Sequence, residues 1–284
     1  VTTRTSDHRL GVLLAAGGLV LISLDSLGIR LSEAGSWDAA FWFGVFTAVS
    51  MSVVVRVREG IGPVRALAAN TGAIVGAGAL QAVSTVFFIL AVNTTTVSNT
   101  VAIIAATPIV AALTGWIVLR ETVGLRVALA IGGSAIGILV IVSGSLGAGR
   151  ALGDLYALIA VIAFSFNVTL WRSHPQQDWT IAIAVSGLIM ALVAFVAADP
   201  GSVSARALLV LGLLGAVTGP VGRVALATAT RYLPAATVGL FTPVETVAAS
   251  AWAWLFLSEA PPFRTIVGGI VVIAAVLWGT ARQN

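Results

Sequence analysis

The chain has 284 residues, of which 58% are hydrophobic and only 9% charged, with a mean hydropathy of +1.05. So little polar surface cannot cover a water-soluble globule, so the composition excludes an ordinary soluble enzyme and predicts an integral membrane protein. The net charge of +4 rests on fifteen cations, all arginine. They stand singly at the ends of apolar runs, where they meet membrane lipid headgroups, and no basic stripe interleaved with aromatics points to nucleic acid.

Counted in spans of ~20 apolar residues, ten runs follow in chain order: 10–29, 39–55, 68–92, 95–119, 125–142, 152–171, 179–198, 207–230, 235–257 and 265–280. Arg4 and Arg9 before the first run resemble the start of a signal peptide. That run ends in Ser23-Leu24-Asp25-Ser26 without a small-residue cleavage pattern, which favours a retained helix. Asn93-Thr94 and Tyr232-Leu233-Pro234 leave so little chain between runs that their neighbours must be tight antiparallel hairpins.

Arginine distribution sets the expected orientation. With a cytoplasmic N-terminus, Arg4, Arg9, Arg56, Arg58, Arg65, Arg120, Arg126, Arg172, Arg231 and Arg282 lie inside, and only Arg30, Arg150, Arg206 and Arg264 outside. Both termini are then cytoplasmic, in a multi-pass protein of a bacterial-type inner membrane.

The chain also repeats itself. Ile117-Val118-Leu119-Arg120-Glu121 aligns with Leu255-Phe256-Leu257-Ser258-Glu259, an offset of 138 residues (255 minus 117), with Trp116 on Trp254. At an offset of 142 (152 minus 10), Leu10-Gly11 meets Leu152-Gly153, Asp25 meets Asn167 and Arg30 meets Arg172. Two five-span units follow, 1–148 and 149–284. Five is odd, so the second enters the membrane from the opposite side, as an inverted repeat built for alternating access.

Ten spans in two halves, with a Pro, Trp and Glu closing the fourth span (Pro108, Trp116, Glu121), resemble the EamA family of the drug/metabolite transporter superfamily, most nearly its YddG-type aromatic amino acid exporters. The second copy departs from the pattern, because Thr246 matches Pro108 and Pro243 stands three residues earlier. The resemblance implies an all-α transport protein that exports small organic metabolites, amino acids above all, from a central site. It carries no cofactor.

The residues themselves narrow where such a site lies. Glu245 sits in an otherwise uncharged span, and a carboxylate at bilayer depth points to a transport pathway. Phe241, Thr242 and Trp252 share its helical face at stacking intervals, which suits a solute with an ammonium or a ring. Proton coupling is open to the same group, and the bland reading is a structural ion pair. Arg223 is its obvious partner, with a substrate carboxylate or an interfacial snorkel as alternatives.

Gln81, Ser84, Thr85 and Phe88 form one partly polar face, read either as cavity lining or as interhelical hydrogen bonding. Phe164, Asn167 and Trp171 form another, while Asp25 near its helix end reaches headgroup water. Asn99 completes the candidate lining. Pro108, Pro220 and Pro243 lie inside spans and are expected to bend them. Gly72–Gly76, Gly133–Gly137 and Gly215–Gly219 have the spacing of close helix packing, and Glu121 and Glu259 cap neighbouring helices.

Other chemistry is poorly supplied. Without lysine there is no phosphate-binding P-loop, and no HExxH or buried Cys or His nucleophile suggests an enzyme. His8 and His174 lie in polar segments and no metal set forms around them. The expected function is therefore a secondary transporter, monomeric or homodimeric. A nucleotide-sugar or phosphorylated-metabolite carrier, a channel and a non-transporting membrane protein remain as alternatives.

Overall fold

The computed structural model describes residues 2–60, 62–68, 70–94, 100, 103–104, 106–142, 151–257 and 263–280, which contain helices and no strand. In chain order the first helices are α1 (Thr2–Ile22), α2 (Leu24–Ser32), α3 (Ser36–Glu59), α4 (Pro63–Ala68), α5 (Thr71–Thr94), α6 (Thr107–Leu119) and α7 (Leu125–Val142). They are followed by α8 (Ala151–Ser173), α9 (Thr180–Phe195), α10 (Ala205–Leu213), α11 (Gly219–Ala229), α12 (Ala235–Gly239), α13 (Thr242–Leu257) and α14 (Phe263–Thr280). Asn99 and Glu259 lie outside the described residues.

Five helical stretches are long and apolar enough to cross a membrane: Asp7–Ser32, Ser36–Arg58, Thr71–Thr94, Leu152–Ser173 and Ala205–Ala229. Thr107–Leu119, Leu125–Gly137, Thr180–Phe195 and Ile266–Gly279 are shorter apolar helices. Leu13, Val53, Leu139, Leu192, Leu209, Ile270 and Leu277 are all more than half exposed. An apolar coat on that scale would be a liability in water and is the ordinary lipid-facing surface of a multi-pass membrane protein.

The long apolar runs are less continuous than the sequence predicts. Run 10–29 breaks at Ser23 between α1 and α2, and run 235–257 breaks between α12 and α13. Run 207–230 widens into a π turn at Leu214–Thr218 between α10 and α11. A π turn disturbs the regular hydrogen-bond ladder, and the Gly215 carbonyl within it accepts from Thr47 Oγ1 at 2.8 Å.

Pro108 and Pro243 correct the expectation of bends within continuous helices, whereas Pro220 stays inside the continuous stretch Ala205–Ala229, just after its π turn. Pro108 and Pro243 each occupy the first turn of a new helix, α6 or α13. There the missing N–H would have had no intrahelical partner, so proline opens the segment instead of straining it.

Helix packing follows a regular scheme. α3 packs on α9 and α7 on α14, while α5 packs on α8 and α1 on α11. α6 lies against α8, and α13 against α1 and α2. At the α3–α9 crossing Gly44 and Gly187 face each other, and a Cβ on Gly187 would stand 2.5 Å from the backbone N of Ala48. Gly18 and Gly222 make a similar approach between α1 and α11.

The loops gather at two ends. One end carries Arg56, Arg58, Arg65, Arg120, Arg126, Arg172 and Arg231, and Arg172 ties it together. Its Nε is 2.8 Å from Glu121 Oε1, and its NH1 donates to the Thr230 carbonyl at 3.0 Å. Glu121 Oε2 in turn accepts from the Ala235 backbone N–H at 3.2 Å. One charge pair thus joins the ends of α6 and α8 to the turn between α11 and α12.

Asp178 caps α9 at the same end, accepting from the Thr180 N–H at 2.8 Å. Partial burial pushes its carboxyl up, but the hydrogen bonds from Thr180 and the charges of Arg58 and Arg231 outweigh this and hold it below the usual carboxylate range. At the opposite end Asp38 Oδ1 accepts from the Asp199 N–H, and Trp42 Nε1 donates to the Pro200 carbonyl.

Candidate functional site

A cavity of about 60 Å³ lies where α1, α2, α5, α6, α8, α11 and α13 converge. Leu19, Ile22, Phe88, Ala160, Val161 and Phe164 supply apolar walls, and Gln81, Ser84, Thr85, Thr107 and Thr242 supply polar ones. Three charged side chains face it, Asp25, Arg223 and Glu245. No described residue of α7 or α14, which pack on one another, lines it.

The helix breaks explain how these groups reach the centre. Ser23 interrupts the first apolar run two residues before Asp25, and its hydroxyl accepts from Trp252 Nε1 at 2.8 Å, tying the break to α13. The π turn and Pro220 precede Arg223, and the break before Thr242 starts α13 with Glu245 in its first turn.

Arg223 is paired with Asp25, not with Glu245. Its NH2 is 3.1 Å from Asp25 Oδ2, its guanidinium carbon lies 5.3 Å from the centre of the Phe43 ring, and Asp25 and Arg223 are 2% and 6% exposed. Both sequence expectations about these residues are corrected by this pair. Asp25 does not reach headgroup water, because α2 continues to Ser32 and buries it. Arg223 does not snorkel to an interface.

A hydrogen-bond chain extends from the pair. Arg223 NH2 also donates to Thr85 Oγ1 at 3.4 Å, which accepts from Gln81 Nε2 at 3.0 Å, while Gln81 Oε1 accepts from Asn167 Nδ2 at 3.0 Å. The polar face of α5 therefore both lines the cavity and binds helices together. Asn167 is fully buried behind Gln81 and stands outside the cavity lining.

Glu245 differs from both partners. Among the described residues its carboxylate makes no hydrogen bond and no ion pair. Phe241, expected beside it, lies in the break ahead of α13 and packs into the core with Trp171, Leu233 and Leu240. Of the anticipated face on α13, Thr242 and Glu245 reach the cavity and Phe241 does not.

Sequence reading missed the Asp25–Arg223 pair. Each charge is visible in the chain, but pairing them requires knowing that α2 and α11 approach the same point. The Gly44–Gly187 approach was also missed, though Gly44–Ala48 and Gly187–Ala191 have the small-residue spacing that marks close packing. No group of three or more His, Cys, Asp or Glu among the described residues is arranged to hold a metal.

Comparison with known proteins adds two findings. A solved crystal structure aligns over 98% of this chain and 98% of its own, with a TM-score of 0.78 at 13% identity, a likeness that bears on fold alone. Among curated proteins nothing matches the chain. Residues 151–280, the part holding Arg223 and Glu245, match the EamA-like transporter family.

Proposed function

We propose that the protein is a secondary transporter of small organic solutes, a member of the EamA family and so of the drug/metabolite transporter superfamily, that exports amino acids by alternating access. The observation that carries this is the buried, charged cavity lined by helices from both 1–148 and 149–284. A carboxylate such as Glu245, with no partner among the described residues, costs stability in an apolar bundle, and its natural use is a ligand or a proton.

Ten spans in two inverted five-helix halves are part of the same reading. Packing supports it, because the contacts occur in exchanged pairs. α5 on α8 corresponds to α11 on α1, and α6 on α8 to α13 on α1 and α2, while α3–α9 and α7–α14 each exchange with themselves. Arginine placement favours cytoplasmic termini in a bacterial inner membrane.

Charge argues against a phosphorylated-metabolite carrier. Arg223 is balanced by Asp25, so with Glu245 ionised the cavity holds a net negative charge and repels phosphate. Aromatic amino acids are the favoured solutes, given Phe88 and Phe164 in the walls.

Counterflow in proteoliposomes tests the reading. Vesicles preloaded with unlabelled phenylalanine should accumulate labelled phenylalanine transiently, as a carrier does and a pore does not. Glu245→Gln should lower the rate about tenfold or more, the scale of one lost charge-assisted hydrogen bond. Wild-type counterflow by a folded Glu245→Gln protein would remove Glu245 from the mechanism.

A further inference from the structure

We propose that the cavity recognises its solute by a protonated amine held at Glu245, and that Arg223 is not an anchor for the solute's carboxylate. This deepens the transport reading above and rests on it. The ligand class is a primary ammonium on a compact apolar or aromatic body, for which a carboxylate is dispensable.

The division of labour among the three charges carries the inference. Arg223 is committed through one nitrogen, NH2, to Asp25 at 3.1 Å and to Thr85 at 3.4 Å, with Phe43 under its guanidinium, while NH1 is buried without a hydrogen-bond partner among the described residues. Turning it toward a solute carboxylate would strand Asp25, whose second oxygen, Oδ1, already lacks a hydrogen-bond partner among the described residues while fully buried. Breaking a buried ion pair leaves an uncompensated charge, which is strongly unfavourable. A solute carboxylate would have to supply all that Asp25 supplies and more.

Glu245 carries no such commitment. It faces the cavity, is at the first turn of α13, and has neither an ion pair nor a hydrogen bond among the described residues. An ammonium supplies both in one contact and brings the cavity to neutrality. Phe88 and Phe164 stand in the same walls, and aromatic rings accept either a cation over the face or an apolar body against it. The volume of about 60 Å³ admits the amine and a short stem, so the rest of the solute enters as the cavity widens.

Three probes separate the possibilities: phenylalanine, 2-phenylethylamine, which lacks the carboxylate, and 3-phenylpropionate, which lacks the amine. Thermal unfolding of the full chain in detergent is measured with each at equal concentration, beside counterflow of labelled phenylalanine. 2-Phenylethylamine should raise the midpoint at least as far as phenylalanine, and 3-phenylpropionate should leave it unmoved. Glu245→Gln should lose both shifts. Should that variant fail to fold, Glu245→Asp, which keeps the charge on a shorter stem, should keep the order of the probes with smaller shifts.

Stabilisation by 3-phenylpropionate equal to that by phenylalanine would overturn the proposal. So would an undiminished 2-phenylethylamine shift in Glu245→Gln, or the absence of any shift with 2-phenylethylamine. Counterflow of phenylalanine alongside any of those results would leave transport standing and remove amine recognition alone. An amine shift without counterflow would support the recognition and count against the carrier.

Discussion

Two carboxylates share the cavity and are held in opposite ways. Asp25 is locked to Arg223 and buried, so its charge serves structure, whereas Glu245 faces the cavity without an ion pair among the described residues. Asp25→Asn should therefore destabilise the protein by about 3–5 kcal/mol, because Arg223 stays buried without its counter-ion. Adding Arg223→Gln should recover most of the loss, read as a melting-temperature cycle of the two single variants and the double. Strict additivity would mean that the pair contributes nothing. The charges themselves are legible in the sequence, Glu245 best of all, since an acid in an apolar run stands out. Their pairing is not. The end of run 10–29 places Asp25 close to the surface, while the helix continues to Ser32 and carries it deeper.

Helix boundaries show the same limit one level up. Apolar runs locate spans because a lipid-facing helix must be apolar throughout, but hydropathy is blind to where the backbone ladder breaks. Pro108, Pro220 and Pro243 are visible as interruptions, and only the structure shows Pro108 and Pro243 opening new helices while Pro220 follows a π turn within one. Crossings depend on which small residues actually meet. A Cβ on Gly72 would find open space, whereas Gly187 is pressed against the backbone of α3. Gly187→Ala should accordingly cost about 1–3 kcal/mol of stability through overpacking. Gly17→Ala, with open space around it, should be neutral or slightly stabilising, since alanine favours a helix by ~1 kcal/mol. Equal melting temperatures for the two variants would show that the α3–α9 crossing yields freely.

At the scale of the whole molecule, the clustering of loops into two ends turns orientation into a measurement. The chain contains no cysteine, so single cysteines report without background. Gln176→Cys, beside the arginine-rich end, should resist a membrane-impermeant maleimide in intact cells and react after lysis. Gly201→Cys, in the loop that meets Asp38, should react in intact cells. The reverse pattern would invert the proposed topology. The apolar exterior is readable because lipid exposure leaves marks along the chain. The hydrogen-bond chain from Asn167 to Asp25 is not, since it joins four helices distant in sequence.

The closure at the arginine-rich end has an uneven vulnerability to mutation. Arg172 and Glu121 contribute side chains, but Thr230 and Ala235 take part only through a carbonyl and an amide N–H. Those backbone groups are supplied by almost any residue that preserves the turn. The side chains of the 230–235 segment can therefore drift with little effect on the contact, while its entire mutational risk falls on one acid and one base separated by fifty-one positions.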